Sequence, residues 1–178
     1  WLLAVGAACV LAAWFYTGGG RPYGYADLGE AFVFVFFGLV AVCGTTYVQL
    51  LRVPEASVWA GVGTGALACA ILVANNLRDV AGDTRVGKRT LAVRLGDART
   101  RWFFVSCCFA GVFGFFEAAA CTTWWGLLAL LAAALLAGPV RLVLAGAVGP
   151  ALIRVLKLTG LAELAASVTG DSDDETPP

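Results

Sequence analysis

The chain is 178 residues long, 60% hydrophobic and 13% charged, with equal numbers of acidic and basic residues. A mean hydropathy of +0.84 and half the charge density of a typical soluble domain, which is about 25% charged, exclude an ordinary soluble fold. With no net charge and no basic tract with interleaved aromatics, a nucleic-acid partner is not expected either.

Apolar runs at 1–17, 31–51, 56–74, 102–121 and 123–138 predict five membrane-spanning helices, the middle three being the longest. The bilayer is therefore the first expected partner. Trp1 opens the chain inside an apolar run, and no methionine occurs anywhere. We read the chain as the C-terminal part of a longer protein. Tyr16, Tyr23, Tyr25, Trp59, Trp102, Trp124 and Trp125 fall mostly near span ends, where amphipathic rings settle at the membrane–water boundary.

Beyond Pro139 the pattern weakens, broken by Gly149-Pro150 and by Arg154, Lys157 and Glu163. An interfacial helix followed by an incomplete last span is expected, so residues 1–165 form one domain. The acidic, proline-ended residues 166–178 read as a disordered tail.

The connections test this layout. Residues 18–30, 75–101 and 139–157 share one side of the membrane and hold eleven of the twelve Lys and Arg residues, against Arg52 alone on the other. Such asymmetry places the first set in the cytoplasm. The chain contains no histidine, which removes imidazole-based metal sites and Ser/His or Cys/His catalysis. Cys9, Cys43, Cys69, Cys107, Cys108 and Cys121 form no CxxC pair and read as small buried hydrophobes. Carboxylate oxygen remains for metal chemistry, which suits Mg²⁺.

One segment stands out. NNLRDVAGDTRVGKRT, residues 75–90, opens a stretch to Arg101 with seven basic residues and three aspartates. Charges on that scale cannot lie in hydrocarbon. Asn75, Asp79 and Asp83 are four apart, one polar stripe on a helix. Arg78 lies beside the stripe, and Arg85, Lys88 and Arg89 follow it. Two carboxylates a turn apart can share a divalent ion, and basic side chains facing them suit the remaining charge of a diphosphate. The plainer reading is a cytoplasmic loop whose aspartates pair with nearby arginines.

The string NN-x-RD, Asp83, then GK-x-TLAVRLG resembles the second aspartate-rich motif of the UbiA superfamily of membrane prenyltransferases. Upstream, YTGG-x-x-PYGY and GE-x-x-VF-x-FFG-x-x-A-x-x-GT, within residues 14–49, are similar to segments of the same family, most closely of its branch acting on 1,4-dihydroxy-2-naphthoate. The resemblance covers about residues 1–165. It implies an all-α integral membrane bundle of UbiA type. Five of its spans and a weak C-terminal segment fall in this chain, with the site open to the cytoplasm of a bacterial cell.

It further implies transfer of a polyprenyl group from polyprenyl diphosphate to 1,4-dihydroxy-2-naphthoate, with loss of CO₂ and diphosphate, giving demethylmenaquinone. Asp79 and Asp83 would be the catalytic Mg²⁺ ligands. Asn75, Arg78, Lys88 and Arg21 would bind diphosphate. Tyr16 and Tyr47, with phenylalanines of residues 32–37, are candidates for the pocket around the allylic cation. The family's first motif, of N-D-x-x-D type, has no counterpart here, so the chain is expected to carry half of the metal site and to be inactive alone. A related enzyme with another acceptor, such as 4-hydroxybenzoate, and a transporter component are the alternatives. A CDP-alcohol phosphotransferase does not fit the spacing of residues 75–101.

Overall fold

The computed structural model describes residues 1–18, 28–122 and 131–169. They form seven helices: α1 (Leu2–Thr17), α2 (Gly29–Leu50), α3 (Glu55–Arg85), α4 (Leu91–Leu95), α5 (Asp97–Ala120), α6 (Leu131–Leu144) and α7 (Pro150–Thr169). Three of these, α2, α3 and α5, are long and apolar enough to cross a membrane, and α1 and α6 contain shorter apolar stretches. The chain is an all-helical integral membrane bundle.

Helix α3 is its axis, packed by α2, α5 and α7, while α6 lies on α7 and α5. At 31 residues, α3 is about 46 Å long against about 30 Å of hydrocarbon. Its apolar part therefore ends near residue 75, and its last turns stand at the membrane surface.

Glycine sets the closest approaches. On one face of α3, a Cβ at Gly38 of α2 would lie 2.5 Å from the Gly61 carbonyl oxygen and 2.6 Å from the Gly65 Cα. On another face, a Cβ at Gly114 of α5 would lie 2.6 Å from the Gly63 nitrogen. Lipid tails are as apolar as leucine, so helices in a membrane gain most from such backbone-to-backbone packing. Gly38 falls within a π-helical stretch of α2, Phe34–Val40, so the widened turn coincides with the tight crossing. The apolar core continues from Leu67, Ala70, Val73 and Ala74 of α3 to Phe104 of α5, Val143 of α6, and Leu152, Val155 and Ala162 of α7.

Helix α6 runs through Pro139, which is fully buried. A proline removes one backbone donor, and neighbouring helices in a bundle compensate for it. Helix α7 is one continuous helix to Thr169 and buries Leu152, Val155, Thr159 and Ala162. Residues 170–178 lie outside the described residues.

Cys121 is exposed, and Cys9 and Cys43 are half-buried. Only Cys69, Cys107 and Cys108 are the buried small hydrophobes expected of all six.

Candidate active site

The charged segment folds by continuing α3 past the membrane surface. Asn75, Arg78, Asp79 and Asp83 all ride on this helix, which ends at Arg85. Gly87, at φ +72°, then turns the chain, a conformation open to glycine at little cost. The Lys88 backbone N–H closes the turn on the Asp83 carbonyl oxygen at 2.9 Å. Thr90 caps α4, its hydroxyl accepting from the Val93 N–H at 3.4 Å, and Gly96, at φ +77°, leads into α5.

Each aspartate of the segment faces a base. Arg78 Nε and Nη2 donate to the two carboxylate oxygens of Asp79, both at 2.8 Å. Lys88 Nζ lies 3.4 Å from Asp83 Oδ1. Arg101 forks onto Asp97 at 2.7 Å through both contacts. Asp79 and Asp97 lie beyond the apolar parts of their helices. There the hydrogen-bonded guanidiniums of Arg78 and Arg101, respectively, hold their carboxyls below the usual carboxylate range. The i, i+4 pairing of the plainer reading occurs once, at Asp97–Arg101. Arg78 and Asp79 are sequence neighbours.

The two candidate metal ligands differ. Asp79 is well exposed, whereas the Asp83 side chain is 13% exposed. Asp83 Oδ2 is buried with no hydrogen-bond partner among the described residues. A buried carboxylate oxygen left unsatisfied is costly, and a hard cation is the kind of ligand that satisfies it. The donor set fits Mg²⁺ as two carboxylates one helical turn apart. Among the described residues no group of three or more acidic or cysteine side chains converges on one point, so these two would supply only part of a coordination shell.

A polar contact not foreseen from the sequence lies deeper. Asn76, not Asn75, turns inward: it is 7% exposed and donates through Nδ2 to Glu30 Oε1 at 3.0 Å. Glu30 is itself 6% exposed, and its backbone carbonyl accepts from Cys69 Sγ at 3.0 Å. Asn76 and Asp83 are seven residues apart, hence on the same face of α3 and about 10 Å apart along it. Asn75 is half-buried beside them. The signal for Glu30 was an acid opening an apolar run, which demands a partner wherever it sits.

The remaining expected site residues do not all converge. Tyr47 sits near the end of α2 remote from Glu30, about 25 Å along the helix. There it meets Trp1 edge-on at 4.9 Å and lines an open apolar groove of about 1070 Å³ between α1 and α2. Tyr16 is in the last turn of α1, and its side chain is outside those described. Arg21 also lies outside the described residues. Near the Glu30 end, Cys9, Ala12 and Ala13 of α1 face Phe32, Val33, Phe36 and Phe37 of α2 across a second apolar groove of about 530 Å³. The Phe32 and Phe36 rings stack at 5.8 Å.

Arg101 ties this end of the bundle together. Its Nη1 donates to the Val143 carbonyl at 2.6 Å and the Ala147 carbonyl at 3.0 Å. The turn from α6 to α7 therefore lies beside the start of α5. The Glu30–Asn76 bond places the start of α2 beside the end of α3. The start of α2, the end of α3, the start of α5 and the turn from α6 to α7 thus share one end of the bundle.

Comparison with known proteins agrees with the motifs. Three relatives share the name 1,4-dihydroxy-2-naphthoate octaprenyltransferase. That of Mycobacterium tuberculosis is 55% identical over 92% of this chain and 56% of its own length. That of Mycobacterium leprae is 50% identical over 91% and 55%, and that of Escherichia coli 40% identical over 80% and 47%. The chain thus spans about half the length of the curated relatives it matches. No solved structure matches it. The family model described as the UbiA prenyltransferase family matches residues 1–153, and on that match the chain belongs to the UbiA prenyltransferase family.

Proposed function

We propose that the protein containing this chain transfers a polyprenyl group from polyprenyl diphosphate to 1,4-dihydroxy-2-naphthoate, a step of menaquinone biosynthesis in the bacterial cell membrane. The observation that carries the reading is Asp83 Oδ2, a buried carboxylate oxygen without a protein donor, on the same helix face as Asp79 and flanked by Lys88. The relatives' names supply the acceptor.

Asp79 and Asp83 would hold Mg²⁺, which when bound offsets charge on the departing diphosphate. Arg78 and Lys88, which hold the carboxylates here, would donate to phosphate oxygens as well, and Asn75 stands a turn below. The C–O bond of the donor breaks with its electron pair leaving on diphosphate. The carboxyl-bearing ring carbon of the naphthoate forms the new C–C bond. Loss of CO₂ returns the carboxylate's bonding pair to the ring and restores aromaticity. The groove lined by Phe32 and Phe36 suits the isoprenoid chain, and its aromatic faces attract a cation without quenching it. The base-rich end faces the cytoplasm in this reading, which the excess of Lys and Arg there supports.

Membranes containing the full-length protein, given labelled polyprenyl diphosphate, Mg²⁺ and one aromatic acid at a time, test it. Prenylated, decarboxylated product is expected with 1,4-dihydroxy-2-naphthoate. Product from 4-hydroxybenzoate alone would transfer the reading to another acceptor, and substrate flux without any product would make the protein a transporter.

A further inference from the structure

Residues 75–101 hold seven bases and three carboxylates. The carboxylates are matched to Arg78, Lys88 and Arg101. The segment therefore carries four more positive charges than negative ones, and Arg85, Arg89, Arg94 and Arg99 are all exposed.

Helix α5 fixes the depth of this charge. Arg99, Trp102, Ser106, Phe109, Phe113 and Phe116 follow at steps of three and four, one continuous helix face. All are exposed: Trp102 is 63% and Phe109 74% accessible. The opposite face, with Thr100, Phe104, Cys107, Cys108 and Phe115, is buried against the bundle. A stripe of exposed phenylalanines on a helix of spanning length suits contact with lipid. Trp102, above them, suits the membrane–water boundary, and Arg99 stands one turn higher on the same helix face. Val86, 77% exposed in the turn after α3, offers a further apolar foothold beside Arg85 and Arg89.

We propose that this end of the bundle is a docking surface for anionic lipid headgroups, with Arg85, Arg89 and Arg99 holding phosphodiester oxygens of the leaflet in which Trp102 lies. Arg99 continues the exposed stripe of α5, an alignment that a solvated loop would not need. A guanidinium matches the phosphate oxygens by its fork of donors, and an anionic surface attracts each base placed within a Debye length of it. The inference does not depend on the prenyl-transfer reading.

The test is lipid selectivity at the surface of the protein. The full-length protein is reconstituted in phosphatidylcholine with trace spin-labelled phosphatidylglycerol or phosphatidylcholine, and the motionally restricted fraction of each is measured. The wild type is expected to restrict phosphatidylglycerol about threefold more than phosphatidylcholine at low salt, the preference falling towards unity in about 1 M salt. The triple variant Arg85→Gln, Arg89→Gln, Arg99→Gln is expected to lose it, and the triple Lys variant to keep most of it, which separates charge from folding. Equal preference in wild type and Gln variant would overturn the proposal, as would no preference in the wild type. Loss of preference on adding millimolar inorganic diphosphate, but not chloride of equal ionic strength, would also overturn it by making the surface a site for soluble phosphate.

Discussion

Asn76 donates to Glu30 across 3.0 Å, joining the start of one spanning helix to the end of another through two side chains that are both over nine-tenths buried. The bond sits where the hydrocarbon ends, one turn below the Asp79 level of α3. Removing either side chain leaves the other's polar atoms short of a partner in a low-dielectric setting, where that loss is expensive.

For Asn76→Ala we expect a loss of about 1–3 kcal/mol, read as a drop of several degrees in the thermal midpoint of the detergent-solubilised protein. The adjacent Asn75→Ala should cost much less. Equal effects at the two positions would contradict the inward orientation of Asn76 alone.

Asp79→Ala and Asp83→Ala are each expected to lower turnover by about a hundredfold or more, the scale of losing electrostatic stabilisation of developing charge. Asp83→Ala should in addition leave stability unchanged or improved, because it deletes a buried oxygen that lacks a donor. Prenyl-transfer assays paired with melting curves check both. Near-normal activity in the two variants would take these residues out of the reaction.

Lys88→Ala should raise the KM for the prenyl donor by about tenfold or more, the worth of one charge-assisted hydrogen bond, with the KM for the aromatic acceptor little changed. A larger effect on the acceptor would assign Lys88 to the other substrate.

Gly114→Ala forces a methyl group to within 2.6 Å of the Gly63 nitrogen and 2.9 Å of the Trp59 carbonyl oxygen. Because both are backbone atoms, α3 and α5 must separate, and a cost of about 1–3 kcal/mol is expected. Gly44→Ala meets nothing within 4 Å and should be neutral or stabilising by up to about 1 kcal/mol. Thermal melts of the two variants, side by side, distinguish the contact from a general intolerance of alanine.

Arg101→Lys retains the charge and loses the fork that spans Asp97, Val143 and Ala147. We expect it to destabilise the protein by about 1–3 kcal/mol and to raise hydrogen exchange selectively at the turn joining α6 and α7. Unchanged exchange there would mean that the turn holds without the arginine.

The amino-acid sequence by itself determined the membrane class, the three longest spans, the concentration of bases in residues 75–101 and the placing of Asp79 and Asp83 one turn apart on a helix. All of these rest on local composition and on helical period, which the solvent boundary imposes on any chain that crosses it. Tertiary structure decided what depends on the rotation and approach of helices distant in the chain. Glu30 meets Asn76, Gly38 meets Gly65, Arg101 caps the turn after α6, and α7 enters the core despite its charges. Asn75 and Asn76 illustrate the limit: both fit the polar stripe by spacing, and only the packing of α2 against α3 selects which side chain faces inward. Tyr47 shows the converse, since an aromatic ring suited to a cation ends about 25 Å from Glu30 simply because a helix rises 1.5 Å per residue.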